Sequence, residues 1–174
     1  MKTSSSYLKG MIRIGATAVL FAACMAFAAP VGLPPVPIPA DNPITPEKVK
    51  LGDKLFHDTR FSTTGEVSCA TCHDRAKGFA DGLPVSEGIN KLKGTRNAPT
   101  IINAVYLHTQ FWDGREPSLE SQSAQPFLNP VEMGLKDHEP ILKIVRSDPE
   151  YLDLFNKAFG KTGGQITMTE VKQA

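Results

Sequence analysis

The stretch CATCH, residues 69–73, constrains this chain most because it places two thiols and an imidazole within five residues. A disulfide between Cys69 and Cys72 would close too small a loop to restrict the unfolded chain much. A thioredoxin-like redox pair is expected beside a βαβ pattern, which the surrounding sequence lacks. A zinc site would need about two further ligands, and the sequence contains no second Cys pair and no His-x₃₋₅-His pair.

One further interpretation uses all three side chains. Cys-x-x-Cys-His is the attachment motif of c-type haem. Cys69 and Cys72 would form thioethers with the haem vinyl groups, and His73 would be the proximal ligand of the iron. We therefore predict one covalently bound haem c at this motif.

The N-terminus has the pattern of an export signal. Basic residues precede an apolar run, and the run ends in small residues spaced as signal peptidase requires. We interpret residues 1–28 as a Sec signal peptide and residues 29–44 as a Pro-rich linker. An uncleaved membrane anchor and a lipid-modified Cys24 are the alternatives. Export predicts a periplasmic protein, which agrees with haem c because its attachment is normally completed outside the cytoplasm.

The charge balance argues against a nucleic-acid partner. The chain has 19 basic and 18 acidic residues, and removal of residues 1–28 would leave 16 basic residues against the same 18. No basic face and no ladder of aromatic residues accompanies this balance. Nucleic acid is therefore not a predicted partner.

Helical signals are concentrated near the two ends of the exported part. Thr45 is expected to cap a helix that begins at Pro46. Residues 139–160 predict two short helices that are separated before Pro149, with Gly160 ending the second.

The middle of the chain, residues 59–130, is interrupted by Gly and Pro. It predicts short helical pieces at most, such as PTIINAVY and PSLESQSAQ. So long an irregular segment is unusual in a compact domain unless it is functional, and a haem would give the loops a large apolar surface to wrap. We therefore predict an all-α, loop-rich, cytochrome c-like haem domain over residues 45–165.

The last residues contain a helix start signal. TMTE, residues 167–170, is a capping box, but the sequence ends at Ala174, about one turn later. A helix this short is not expected to be stable. We interpret residues 166–174 as the start of a truncated helix that leads to a missing domain, and the chain as a fragment.

Several motifs, in order along the chain, resemble the bacterial dihaem cytochrome c peroxidase/MauG family. They are LGDKLFHDTRFSTTGEVSCATCH, KGTRNAPTIINAVY, QFWDGR, SLESQSAQP and NPVEMG, followed by DPEYLDLFNKAFG and ITMTEVKQA. The resemblance implies the N-terminal, peroxidatic haem domain of a protein whose second domain carries another haem. This sequence has no second Cys-x-x-Cys-His motif, which supports its interpretation as a fragment.

The resemblance also implies an activity and roles for single residues. The protein would reduce hydrogen peroxide to water with electrons from a small c-type cytochrome or copper protein. Glu132 in NPVEMG would shuttle the peroxide proton, and Gln122 in SLESQSAQP would orient peroxide or water. Trp112 in QFWDGR would pass electrons between the haems. Asn97 resembles a ligand of a calcium ion at the domain junction, and family members are often homodimers.

Each role has a structural alternative. By composition alone, Glu132 would be a solvated surface charge and Trp112, the only tryptophan, a core residue. Gln122 would lie on a helix surface, and Asn97 would be a turn residue.

One departure from the family pattern affects the iron. Many members carry a histidine in the loop before the R-N-A-P stretch, where it caps the resting iron. That position falls near Ile89, and no histidine lies between His73 and His108. The resemblance thus predicts an iron that is open without reductive activation. If another histidine replaced it as a ligand we would expect His108, and we assign no role to His57 and His138.

Two rival functions remain open. A MauG-like oxidase would use the same iron to modify a partner protein. A monohaem electron carrier would instead fill the sixth iron position with Met133.

Overall fold

The computed structural model describes residues 32–174. Residues 32–36 belong to one compact unit and residues 37–174 form a second, which contains every predicted site residue. The predicted signal peptide and Cys24 lie outside the described residues. Within residues 32–174, none of the helices is both long enough and apolar enough to cross a bilayer.

The described chain is helical. Its α-helices are α1 (Pro46–His57), α2 (Cys69–Cys72), α3 (Leu119–Ser123), α4 (Gln125–Leu128), α5 (Glu139–Val145), α6 (Pro149–Phe159) and α7 (Met168–Gln173). Short 3₁₀ helices occupy Thr59–Phe61, Arg75–Lys77, Ile89–Lys91, Ala104–Tyr106 and Gly163–Gln165. Extended pairing in residues 32–174 is limited to the isolated bridges Asp74–Ala80, Glu87–Lys93 and Gln110–Glu116. The all-α, loop-rich fold class is confirmed.

The helix ends follow local capping chemistry. The Thr45 side chain accepts a hydrogen bond from the Lys48 N–H at 3.2 Å, and Pro46 occupies the first helical position. Gly160 ends α6 with a φ of 66°, a left-handed conformation that costs glycine little. The predictions for both of these helices are confirmed. PTIINAVY forms only the 3₁₀ turn Ala104–Tyr106.

The expectation that residues 167–174 are too short to hold a helix was wrong. The Glu170 carboxylate accepts a hydrogen bond from the Thr167 N–H at 2.8 Å, which completes the capping box of α7. Glu170 also pairs with Lys161, and Val171 is buried in the core. Tertiary packing therefore stabilises a helix that would be too short to be stable in isolation.

The core joins α1 to α6. Leu51 of α1 packs with Tyr151 and Phe155 of α6, and all three are fully buried. Met133 and Leu135, from the turn after α4, belong to the same cluster. The core therefore anchors the turn that carries the predicted catalytic glutamate.

Candidate active site

The CATCH motif folds into a single helical turn. The Ser68 N–H donates to the Thr71 hydroxyl at 3.0 Å and starts α2. The His73 N–H donates to the Cys69 carbonyl at 2.9 Å and ends it. Both cysteines are free and partly exposed. The motif therefore presents two thiols separated by about one turn, with an imidazole at the end of the helix.

A backbone carbonyl sets the tautomer of His73. Its Nδ1 lies 3.2 Å from the Phe79 carbonyl oxygen. Because a carbonyl can only accept, Nδ1 carries the proton, and Nε2 is the nitrogen able to bind a metal. The Phe79 N–H bonds the Asp74 carbonyl at 2.8 Å, which closes a small loop. Phe79 adopts a φ of 59°, so the loop holds this residue in a strained conformation while it presents the carbonyl.

The donor set fits a covalently attached haem. Burial, with smaller contributions from the charges of Glu132 (for both) and Asp81 (for Cys72), raises the pKa of both thiols to about 11. The thiols therefore stay protonated at neutral pH, a form that resists oxidation to a disulfide. Residues 32–174 contain no group of three or more His, Cys, Asp or Glu side chains placed to hold a metal ion.

Glu132 lies close enough to the CATCH motif to act electrostatically on both of its thiols. One of its carboxylate oxygens, Oε1, accepts a hydrogen bond from the Asn129 side-chain amide at 2.7 Å. Burial raises the pKa of Glu132, and the charge of Arg115 opposes that rise. The Glu132 carbonyl accepts the Ile89 N–H at 3.1 Å, so a distant loop also holds its backbone.

A cavity of about 240 Å³ opens beside this carboxylate. Its wall includes Glu132, Asn129, Arg115, Phe111 and Gln125. The Arg115 guanidinium lies 3.5 Å from the centre of the Phe111 ring, which fixes a positive charge at the wall. The site thus combines a half-buried carboxylate, an amide donor and a cation.

The other residues of the cavity wall were not predicted from the sequence. Asn129 lies in the motif NPVEMG and Arg115 in the motif QFWDGR, so their place in these motifs is the sequence signal that could have indicated them. Gln122 lies on α3, is partly exposed, and is not among the residues that line the cavity. Gln125, three residues further along, lines it instead.

Trp112 is a surface residue and not part of the core. Its side chain is 60% exposed, and its Nε1 donates to the Asn97 carbonyl at 3.1 Å. Trp112, Asn97 and Arg96 border a second cavity of about 350 Å³. Asn97 is exposed, and the described residues place no cluster of carboxylates around it. A calcium ligand at Asn97 stays a prediction.

The position predicted for a loop histidine belongs to the core. Ile89 is only 7% exposed and is a member of the hydrophobic cluster. His108 is exposed, and so is His57, while His138 bonds the Ala124 carbonyl at 3.2 Å.

Met133, the candidate ligand of the electron-carrier alternative, is 2% exposed and belongs to the core cluster.

A family model described as di-haem cytochrome c peroxidase matches residues 46–174. The chain belongs to this family. The cytochrome c551 peroxidase of Pseudomonas aeruginosa is 42% identical over 133 residues, which cover 76% of this chain and 38% of that protein. The methylamine utilization protein MauG of Methylorubrum extorquens is 42% identical over 125 residues, which cover 72% of this chain and 35% of that protein.

A solved structure agrees with this assignment. It is the crystal structure of a MauG-like protein associated with microbial copper homeostasis, with a TM-score of 0.74 and 33% identity. The similarity covers 84% of this chain and 45% of that one. The chain therefore spans less than half the length of each of these relatives.

Proposed function

We propose that residues 45–165 are the peroxidatic haem domain of a periplasmic dihaem peroxidase. The protein reduces hydrogen peroxide to water with electrons that a small c-type cytochrome or copper protein delivers through a second haem. Residues 1–28 direct export, residues 29–44 form a linker, and residues 166–174 lead towards the second haem domain. The observation that carries the proposal is Glu132, a half-buried carboxylate at a cavity wall and within electrostatic reach of the CATCH thiols.

The chain supplies the attachment and the proximal ligand. When bound, haem c provides the iron at which peroxide is reduced. Cys69 and Cys72 would hold it covalently, and His73 would bind the iron through Nε2. The hydrogen bond from Nδ1 to the Phe79 carbonyl keeps the imidazole in one tautomer and orientation and increases its basicity as a ligand.

Glu132 moves the proton. A carboxylate beside the reacting oxygens can take the proton from one peroxide oxygen and return it to the oxygen that leaves as water. Burial raises the pKa of Glu132 above its usual value and so favours the protonated form, which suits a group that must both accept and donate a proton. Arg115 lowers that pKa and so favours the ionised, proton-accepting form.

Trp112 passes electrons inward from the second haem. Its exposure leaves the ring accessible from outside the domain, while the bond from Nε1 to the Asn97 carbonyl keeps it in one orientation. In this proposal Gln122 orients peroxide or water, Asn97 contributes to a calcium site at the domain junction, and the whole protein forms a homodimer.

The iron would be open in the resting state. The aliphatic side chain of Ile89 turns into the core where many relatives place a ligating histidine. We therefore expect the fully oxidised protein to bind exogenous ligands at the N-terminal haem without prior reduction. A bis-histidine, low-spin signal from that haem would disprove an open iron.

Substitution of Glu132 tests the peroxidase proposal. Glu132→Gln keeps the shape of the side chain but cannot accept the proton, so peroxide turnover should fall by about 10²–10⁴-fold. Haem content, measured as the pyridine haemochrome, should not change. Glu139→Gln, at an exposed glutamate on α5, is the matched control and should keep full activity. Wild-type turnover by Glu132→Gln would remove Glu132 from the mechanism.

A MauG-like oxidase is the second candidate. The buried Ile89 favours it because this loop then supplies no histidine to the iron, and such an oxidase needs an open iron. Peroxide-dependent oxidation of a reduced small cytochrome by the purified holoprotein supports the peroxidase. Failure of that reaction, together with a peroxide-dependent mass change in a partner protein, supports the oxidase.

A further inference from the structure

Asn129 organises the turn that carries Glu132. Its backbone carbonyl accepts hydrogen bonds from the N–H groups of Glu132 and Met133, both at 3.2 Å, and of Gly134 at 2.8 Å. Its side-chain Oδ1 accepts the Val131 N–H at 2.9 Å. Asn129 therefore satisfies four consecutive backbone N–H groups, from residue 131 to residue 134.

The same contacts determine which way the Asn129 side chain faces. A backbone N–H can only donate, so the atom facing Val131 must be the amide oxygen. The amide nitrogen then faces Glu132, and Nδ2 donates to Oε1 at 2.7 Å. The Glu132 carboxylate accepts this hydrogen bond without competition from the turn, because the Val131 N–H bonds the amide oxygen of Asn129 and leaves its amide nitrogen free to donate.

We propose that Asn129 is a positioning residue for Glu132: its amide holds Oε1 in place and leaves Oε2 to take and return the peroxide proton. This inference rests on the proposed role of Glu132. A glutamate side chain has several rotatable bonds, and a base that is fixed at one oxygen loses less entropy when it reaches the reacting atoms. The bond is also available to the ionised carboxylate, the form that accepts the proton.

Other charged groups also face Glu132. Arg115 approaches from the loop that carries Trp112, and Cys69 and Cys72 approach from α2. In the haem-bound protein the two sulfurs are thioethers and do not titrate. The remaining charge, that of Arg115, is constant over the accessible pH range. A substitution at residue 129 is therefore expected to change the titration of Glu132 while none of these neighbouring groups titrates.

Asn129→Asp separates positioning from folding. Aspartate keeps an oxygen to accept the Val131 N–H, so the turn is preserved. It replaces the amide donor by a second carboxylate oxygen beside Oε1, and two carboxylates this close share a proton. The acidic limb of the kcat/KM profile should move to higher pH by at least about 1 pH unit. The infrared carboxylate band of Glu132, titrated in the resting holoprotein, should move with it.

Two comparison variants complete the test. Asn90→Asp adds the same charge at an exposed loop position with a φ of 51° that aspartate tolerates, and it should leave both titrations unchanged. Asn129→Ala removes both side-chain bonds and should lower the unfolding midpoint as well as turnover.

The possible results distinguish the inference from the proposed function. A wild-type pH profile and carboxylate titration in Asn129→Asp would overturn the inference, while loss of activity in Glu132→Gln would still uphold the peroxidase proposal. Full activity in Glu132→Gln would overturn the proposed function, and with it the positioning of a catalytic group by Asn129. A shifted titration in Asn129→Asp together with an inactive Glu132→Gln supports both.

Discussion

Gly88 sets the position of the turn that carries Glu132, and substitution by alanine tests this directly. Its φ of −105° and ψ of −146° do not demand glycine, so the cost of a side chain is steric. A Cβ at this position would lie 2.7 Å from both the Cα and the carbonyl oxygen of Glu132, and closer still to the Val131 oxygen. Real Cβ atoms essentially never approach within 3.0 Å. All three atoms belong to the backbone, so no side chain can move aside.

The expected cost follows from these contacts. Overpacking against a rigid neighbour costs about 1–3 kcal/mol. Stretching the hydrogen bond from the Ile89 N–H to the Glu132 carbonyl, now 3.1 Å, adds about 1 kcal/mol. Gly88→Ala should therefore lower the free energy of unfolding by about 2–4 kcal/mol. The Glu132 turn must move on the order of 1 Å, a misplacement that reduces turnover by about 10²-fold.

Gly94→Ala is the matched control in the same loop. A Cβ on Gly94 would meet its nearest atom, the Ser86 carbonyl oxygen, at 3.6 Å, which is an ordinary contact. Denaturant unfolding followed by circular dichroism measures stability in both holoprotein variants, and peroxide-dependent oxidation of a reduced cytochrome measures turnover. If Gly88→Ala proved as stable and active as Gly94→Ala, the loop would not determine where Glu132 lies.

Two further predictions concern pH and stability. Burial acts to raise the pKa of Glu170, but hydrogen bonds from Lys161 and Thr167 outweigh it and lower the value from 4.5 to about 2. The stabilisation is complete above pH 4.5 and is lost as the pH falls to about 2. Glu170→Gln should therefore lower the free energy of unfolding by about 1–2 kcal/mol at pH 7 and by little near pH 2. Equal losses at the two pH values would contradict this prediction. Burial also acts to raise the pKa of Asp58, but hydrogen bonds from Arg60 and from the buried Tyr151 lower it. Tyr151→Phe should lower the free energy of unfolding by about 1–2 kcal/mol and make acid unfolding begin at a higher pH. An unchanged midpoint of acid unfolding would show that the hydrogen bond from Tyr151 to Asp58 does not stabilise the fold.

Much of the fold was predictable because it depends on local chemistry. Thr45, Pro46 and Gly160 set helix ends through contacts within one or two turns, and the structure reproduces them. The long irregular middle was predictable from its glycines and prolines. The start of α7 was predicted from its capping box, but its stability was not, because it depends on the burial of Val171 and on the pair between Lys161 and Glu170, which are tertiary contacts.

The candidate site was only partly predictable, for a similar reason. The motifs named Glu132 and Trp112, but they did not show that Trp112 is exposed or that Arg115 faces the same cavity as Glu132. The motif SLESQSAQP predicts a role for Gln122, and it did not show that Gln125 lines the cavity beside Glu132. A motif identifies which residues recur together, and it does not determine which side chain reaches a surface formed by several loops.

The sequence by itself determined that this chain carries a Cys-x-x-Cys-His motif fit for haem, because that chemistry needs only five contiguous residues. It also determined the all-α class, because helix caps and chain breakers act locally. Only the tertiary structure decided that Ile89 turns into the core and that Gly88 packs against the turn of Glu132. The residues that meet there lie more than forty positions apart in the chain, and such contacts leave no periodic pattern that a single sequence reveals.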